Sequence, residues 1–551
     1  MALGAARLAT DRTRPADQRA LEIWGGGSAA ALLATIALGL SWRWAALGFG
    51  LAALGLALLG RRLKWRSIAG SAAAGAGLAL ASLLSPALLS HALGHGWDAG
   101  FFLGVALFVA VASFFAARIV VDQTAAAEAL RTISPLAALI GAFVFLRWAA
   151  GGGATHMDDL TEASIRTFLI ADAGLASLAR LPGERTAFGR WRGHLLMGAA
   201  ALHGLFFQVL LFNPRLGFFG DTPSGPPLLD SLAIAFGAPA LVFGAAAARI
   251  YRQQRPAARI YAVIAVLSGV AWAFLEIRRL VHGPHLGGDA LSIGAAEAVG
   301  CSLVLLGLAA LIARVRVKDD ASAHPLRQDF AHVTALSRWI AIGFALFMTG
   351  LWSNPCWGAA DRSIGGWAPL LGVVCGYGAI VVLISVLALD ADRAGRRREA
   401  ELAADAAIVM GLIFAGLIVR ASFHGTALTL SAGASELETW SYSAVAALIG
   451  LGFVVLSRRG GRLFLRAGLT LLLLTTLKVF VVDTASLSGV VRAGSFLALG
   501  ALLLLGALTA RPHRPFAHAA ARPRAFQRDV NDPTQLSSRS ARLSCRSRSP
   551  G

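Results

Sequence analysis

Seven polar residues stand in a strongly apolar chain at positions where they could do chemistry: Arg278, His282, Arg420, His424, Lys478, Asp483 and Arg492. Arginine, lysine and histidine donate hydrogen bonds to phosphate, carboxylate or hydroxyl oxygens, and a carboxylate such as Asp483 accepts them. Gathered on one side of a membrane, these groups would bind an anionic or polyhydroxylated substrate. The plainer reading is that the long basic side chains reach outward to water and pair with nearby acids, as Lys478 would with Asp483. In an enzyme, Glu297 or Asp483 would serve as the acid or base beside a basic partner. Asp172, inside an apolar segment, is a candidate proton or cation site. His203 and Gln208 read as hydrogen-bonding groups between helices. His91 and His95, with Asp98 beyond, and the His282–His285 pair have ligand-like spacing but lack the supporting ligands of a zinc site. No metal and no cofactor is therefore expected.

The elements that position these groups are apolar helices. The 551 residues are 56% hydrophobic and only 15% charged, with a mean hydropathy of +0.66. A soluble chain of this length would need more polar surface. Sixteen apolar spans can be drawn, each near the ~20 residues that cross a bilayer core as an α-helix. With an inside N-terminus, 40 of the 50 Lys and Arg residues fall on the cytoplasmic side and 10 on the outer side. Positive residues are retained in the cytoplasm on insertion, so both termini are expected there, in a bacterial inner membrane. The net charge of +20 is thereby explained without nucleic acid, for which no recognition module is present. Phosphate loops, nucleophile elbows and HExxH helices are absent from the sequence. The four cysteines form no CxxC pair.

Three features recur at nearly constant spacing. Pro86, Pro214 and Pro355 end spans at offsets of 128 and 141. Arg147, Arg278 and Arg420 lie near outer helix ends at offsets of 131 and 142, each followed by a Gly-containing loop. Glu162, Glu297 and Glu438 open the next span at offsets of 135 and 141. Such periodicity argues for copies of one unit, and four spans per copy keep every copy in the same orientation. The expected organisation is a tail over 1–22, a helical hairpin over 23–67 and four-helix repeats over 68–192, 193–332 and 333–459. A closing hairpin over 460–510 and a disordered basic tail over 511–551 follow.

The stretch Leu477-Lys478-Val479-Phe480-Val481-Val482-Asp483, with Arg492 and Ser495-Phe496-Leu497-Ala498-Leu499-Gly500, resembles the closing helices of a bacterial family catalogued as domain of unknown function twenty-three thirty-nine. The Asn-Pro span ends and the Arg278…His282-Gly283 and Arg420…His424-Gly425 segments fit the same resemblance. It implies membrane location and a polytopic helical fold, and it carries no activity, substrate or catalytic residues. Members of that family are commonly longer, with a cytoplasmic coiled-coil lead, so this chain is expected to be a shortened form or a fragment with a misplaced start.

The expected fold is an all-α, polytopic transmembrane helical bundle of about sixteen spans. The leading functional expectation is a transporter or lipid-linked-substrate handler of the cell envelope, with membrane lipids and an envelope lipid or glycan as partners. The alternatives are a membrane-embedded enzyme acting on such a lipid or glycan, and a non-catalytic scaffold.

Overall fold

The computed structural model describes residues 15–94, 96–122, 124–152, 158–180, 186–215, 222–287, 293–315, 324–357, 369–460 and 462–483, with five isolated positions between 494 and 504. Among them there are sixteen α-helices and no strand. In chain order they are α1 (Pro15–Gly39), α2 (Trp42–Leu63), α3 (Arg66–Leu83), α4 (Pro86–Gly94), α5 (Gly96–Ile119) and α6 (Thr124–Gly152). Next come α7 (Asp159–Ala179), α8 (Ala187–His203), α9 (Ala238–Ile250) and α10 (Arg255–His282). The last six are α11 (Ala295–Arg314), α12 (His324–Ala345), α13 (Pro369–Arg393), α14 (Arg397–His424), α15 (Glu436–Gly460) and α16 (Arg462–Lys478).

Thirteen of the described helical segments are long and apolar enough to span a membrane, and the bent α3–α4 pair adds a fourteenth. The expected third span is not one straight helix. It breaks by 50° at Ser85-Pro86, because proline has no N–H for the ladder and its ring clashes with the preceding turn. The expected sixth span is present as α7, but Asp159, Glu162, Arg166 and Asp172 make it too polar to count with the thirteen. The sixteenth, over 490–509, lies outside the described residues except for those five positions, and the basic tail lies outside them altogether.

Large apolar side chains point outward all along these helices, Leu38 at 90% and Leu241 at 77% exposure among them. That inversion suits lipid as the solvent, where backbone groups must be satisfied within helices. The interior is built of small residues instead. Ala46, Ala53 and Ala57 of α2 pack with Ala69, Ala72 and Ala76 of α3. A Cβ on Gly60 would stand 3.2 Å from the backbone nitrogen of Ala69. Small residues let helix backbones approach where there is no hydrophobic drive between helices.

The chain divides into two units, residues 1–446 and 447–551. In the first, one core gathers α1 through α6, a second α7 through α10, and a third α11 through α14. In the second, Ala447 and Val454 of α15 pack with Leu472 of α16. There the helices touch backbone to backbone: a Cβ on Gly468 would meet the Gly450 carbonyl oxygen at 2.7 Å.

Several helices end in a widened π turn. Gly204–Leu211 continues α8, Leu346–Trp352 continues α12 and Val479–Asp483 continues α16. The first two close with i→i−5 bonds, Phe212 N–H to Phe207 O at 2.8 Å and Ser353 N–H to Met348 O at 2.7 Å. Each then turns on an asparagine: Asn213 Oδ1 accepts from Arg215 N at 2.9 Å, and Asn354 Oδ1 from Cys356 N at 3.0 Å. This side-chain mimicry of a backbone turn is what asparagine does before proline.

Candidate functional site

Each of the recurrent arginines sits near the C-terminal end of its helix, and each recurrent glutamate lies in the first turn of the next helix. A cation is favoured at a helix C-terminus and an anion at an N-terminus. The two therefore meet across the connecting loop. Arg147 Nη1 donates to Glu162 Oε2 at 2.8 Å, Arg278 Nη1 to Glu297 Oε2 at 3.0 Å, and Arg420 Nη1 to Glu438 Oε1 at 2.8 Å. These bonds link α6 to α7, α10 to α11 and α14 to α15, so the first two join successive cores.

The second and third clusters share further detail. Arg278 Nε donates to the carbonyl of Leu286 at 3.0 Å, and Arg420 Nε to that of Leu428 at 3.4 Å, eight residues on in both cases. His282 Nε2 lies 3.3 Å from Glu297 Oε2, and His424 Nε2 lies 2.7 Å from Glu438 Oε2. Gly283 and Gly425 follow those histidines with φ of 79° and 58°, and their ψ values of −160° and −114° belong to a region that glycine alone enters at no steric cost. The His-Gly pair thus ends the helix and turns the imidazole back over the carboxylate.

Burial separates the roles. Arg420 and Glu438 are fully enclosed, Arg278 is 4% exposed and Glu297 1%. Arg420 is spent on protein groups: besides Glu438 it donates to the carbonyls of Thr429 and Gly433. The Tyr442 hydroxyl completes the site by donating to Glu438 Oε1 at 2.9 Å. The histidines stay open, with side-chain exposures of 40% for His282 and 21% for His424. The first cluster differs, since Arg147 is 54% exposed and Glu162 is shared with Arg166. Glu162 is therefore more than the helix-surface partner of Arg166, because it is buried and bridges to α6.

Of the seven residues singled out in the sequence, Arg278 and His282 meet on Glu297, and Arg420 and His424 meet on Glu438. Lys478 ends α16 and Asp483 closes the π turn that follows. Arg492 and the Asp483 side chain lie outside the described residues. Asp172 is exposed. His203 Nδ1 lies 2.8 Å from Thr167 Oγ1, an interhelical bond of the expected kind. His91 lies tilted against Trp42, with ring centroids 5.0 Å apart, and stands 3.9 Å from Asp98; His95 lies outside the described residues.

Other ion pairs were hidden from sequence reasoning. Arg279 contacts Asp230, which is fully buried, and Arg279 Nη2 donates to Gly225 O at 2.6 Å. Beside them, Glu276 Oε2 accepts from Leu228 N at 3.2 Å, while its Oε1 is buried and meets no hydrogen-bond donor among the described residues. At the opposite helix ends, Arg192 pairs with Glu128 at 2.9 Å and Arg338 with Glu399 at 2.5 Å. Asp329 accepts from Tyr251 at 2.7 Å and from Arg259 at 2.6 Å.

The fold and its helix-end ion pairs define a polytopic helical membrane protein. The family described as predicted membrane protein (DUF2339) matches residues 1–324 and again residues 294–511. The chain belongs to that family. No curated protein and no solved structure matches it.

Proposed function

We propose that the protein handles a lipid-linked or other polar substrate of the cell envelope at the outer ends of its helices, in a bacterial inner membrane with both termini cytoplasmic. One observation carries this reading: twice, an open histidine edge lies over a carboxylate sealed inside the protein, at His282–Glu297 and His424–Glu438. A histidine so held presents its other ring nitrogen in a fixed direction to a phosphate or hydroxyl group. Arg278 and Arg420 then position the pair and brace the loop, while the histidines make contact. Lys478, Asp483 and Arg492 remain candidate contacts from the closing hairpin. The spacing of the clusters supports four-helix repeats in one orientation, the second and third each bringing its own copy of the site.

A second reading has a specific observation in its favour. The 2.7 Å contact between His424 Nε2 and Glu438 Oε2 is the arrangement of a general base with its orienting acid, as an enzyme acting on an envelope glycan or lipid would need.

The test is growth of a deletion strain under envelope stress, complemented with His424→Gln, His282→Gln and Lys478→Ala, with membrane abundance measured for each. Loss of growth at normal abundance supports a working site. Full growth with all three would replace it with a scaffold, in which these residues only close the bundle.

A further inference from the structure

The opposite helix ends carry a second arrangement. Between the start of α6 and the start of α8 lies an open groove of about 550 Å³, walled by Ala125, Ala129, Ile133 and Phe188, with Glu128 and Thr132 at its side. Phe188 is 50% exposed and the neighbouring Trp191 64%. Aromatic side chains of this kind collect at the level of lipid head groups.

The surrounding charge is one-sided. Arg131 and Arg192 both bind the groove-wall carboxylate Glu128, at 3.0 and 2.9 Å. At the same end of these helices, Arg118 and Arg180 set their guanidinium groups on one ring, that of Phe114, at 4.7 and 5.9 Å from its centroid. Neither has an acidic partner among the described residues. Two like charges held against one ring repel each other, and an anion bound beside them would relieve that repulsion. With Arg190, five arginines stand at this end of α5 to α8 against Glu128 and Asp122 among the described residues.

We infer that this groove binds an anionic phospholipid of the cytoplasmic leaflet. An acyl chain would lie along the alanine, isoleucine and phenylalanine wall, and the phosphate would sit among Arg118, Arg131 and Arg180. The charge pattern of the sequence assigns this end to the cytoplasm, and basic pockets between helices on that side suit anionic head groups. A soluble anion would use the arginines but leave the apolar wall empty.

The experiment uses the full chain purified in a non-ionic detergent. Dioleoylphosphatidylglycerol, dioleoylphosphatidylcholine or inorganic phosphate is added, and thermal stability and lipid retained per protein are measured, the latter by native mass spectrometry. Phosphatidylglycerol should stabilise saturably and be retained in preference to phosphatidylcholine, with the preference weakening at high salt. Arg118→Gln with Arg180→Gln removes two exposed groups that hold no ion pair among the described residues. Phosphatidylglycerol retention should fall about fivefold for each arginine removed. Ala129→Trp, which fills the groove from an exposed position, should lower retention of both lipids. Equal retention of the two lipids, an unchanged double variant, or stabilisation by inorganic phosphate matching that by phosphatidylglycerol would overturn the inference.

Discussion

Arg420 and Glu438 meet at 2.8 Å with side-chain exposures of 1% and 0%, ringed by the carbonyls of Leu428, Thr429 and Gly433, the His424 imidazole and the Tyr442 hydroxyl. The pair closes the loop from 425 to 435 over the ends of α14 and α15. Neither partner can be removed without leaving a buried charge, which sets the scale of the first prediction.

Glu438→Gln should destabilise the protein by about 3–5 kcal/mol, the cost of stranding one member of a buried pair. Glu162→Gln should cost clearly less, because solvent takes over for Arg147, which is 54% exposed, and reaches Arg166, which is 27% exposed. Thermal unfolding of the two variants in the same detergent separates the cases. Equal losses would mean that burial does not govern the pair.

Arg420→Lys keeps the charge and should still fail to hold the loop. The guanidinium reaches the carbonyls of Leu428, Thr429 and Gly433 as well as Glu438, a spread that a compact ammonium cannot reproduce. Limited proteolysis should cut the variant between 425 and 435 and spare the parent. Parental resistance in the lysine variant would refute the clamp.

Gly468→Ala should destabilise the second unit by about 1–3 kcal/mol, since the added methyl meets backbone atoms of Gly450 and Val454 at 2.7 and 2.9 Å. Gly452→Ala, with open space around its Cβ position, should be neutral. The readout is proteolytic resistance of α15 and α16.

At the other end of the bundle, the hydrogen bond from Arg259, followed by that from Tyr251, holds the Asp329 carboxyl below its ordinary range. A carboxyl depressed on folding contributes stability that is fully present above its unfolded value, about pH 3.9, and is lost as pH falls through the lower folded value. Stability measured from pH 6 down to pH 3 should therefore drop less steeply in Asp329→Asn than in the parent. Identical acid limbs would rule out this contribution.

The sequence made the helix-end clusters legible because arginine, glycine and glutamate recur there at long, nearly equal offsets, and charge is rare enough in apolar spans for each to stand out. It also placed nearly all the helices, since hydropathy alone marks a segment that lipid surrounds. It could not assign Glu128 to Arg192 or Arg338 to Glu399, whose partners lie 64 and 61 residues apart in regions where basic residues already serve topology. The break at Pro86 was visible as a residue type, yet apolar residues on both sides masked it as continuous helix. Nor did periodicity reveal that Arg420 is enclosed while Arg147 is open; that depends on which loop folds over the helix end, and loops carry no period.

The π turns at the ends of α8 and α12 give these helices two registers. One extra residue in the ladder rotates everything beyond it by about 100° relative to a regular helix. The lower part of α12 can therefore keep Ala341 and Ala345 against the bundle while its tip aims Asn354 back at the carbonyl of Gly350, 3.1 Å away. Deleting a single residue from 346–352 would restore an unbroken α-helix and swing that asparagine out of its turn. The insertion thus works as a swivel, letting one helix answer to the packing of the membrane interior and to the polar architecture of the surface at the same time.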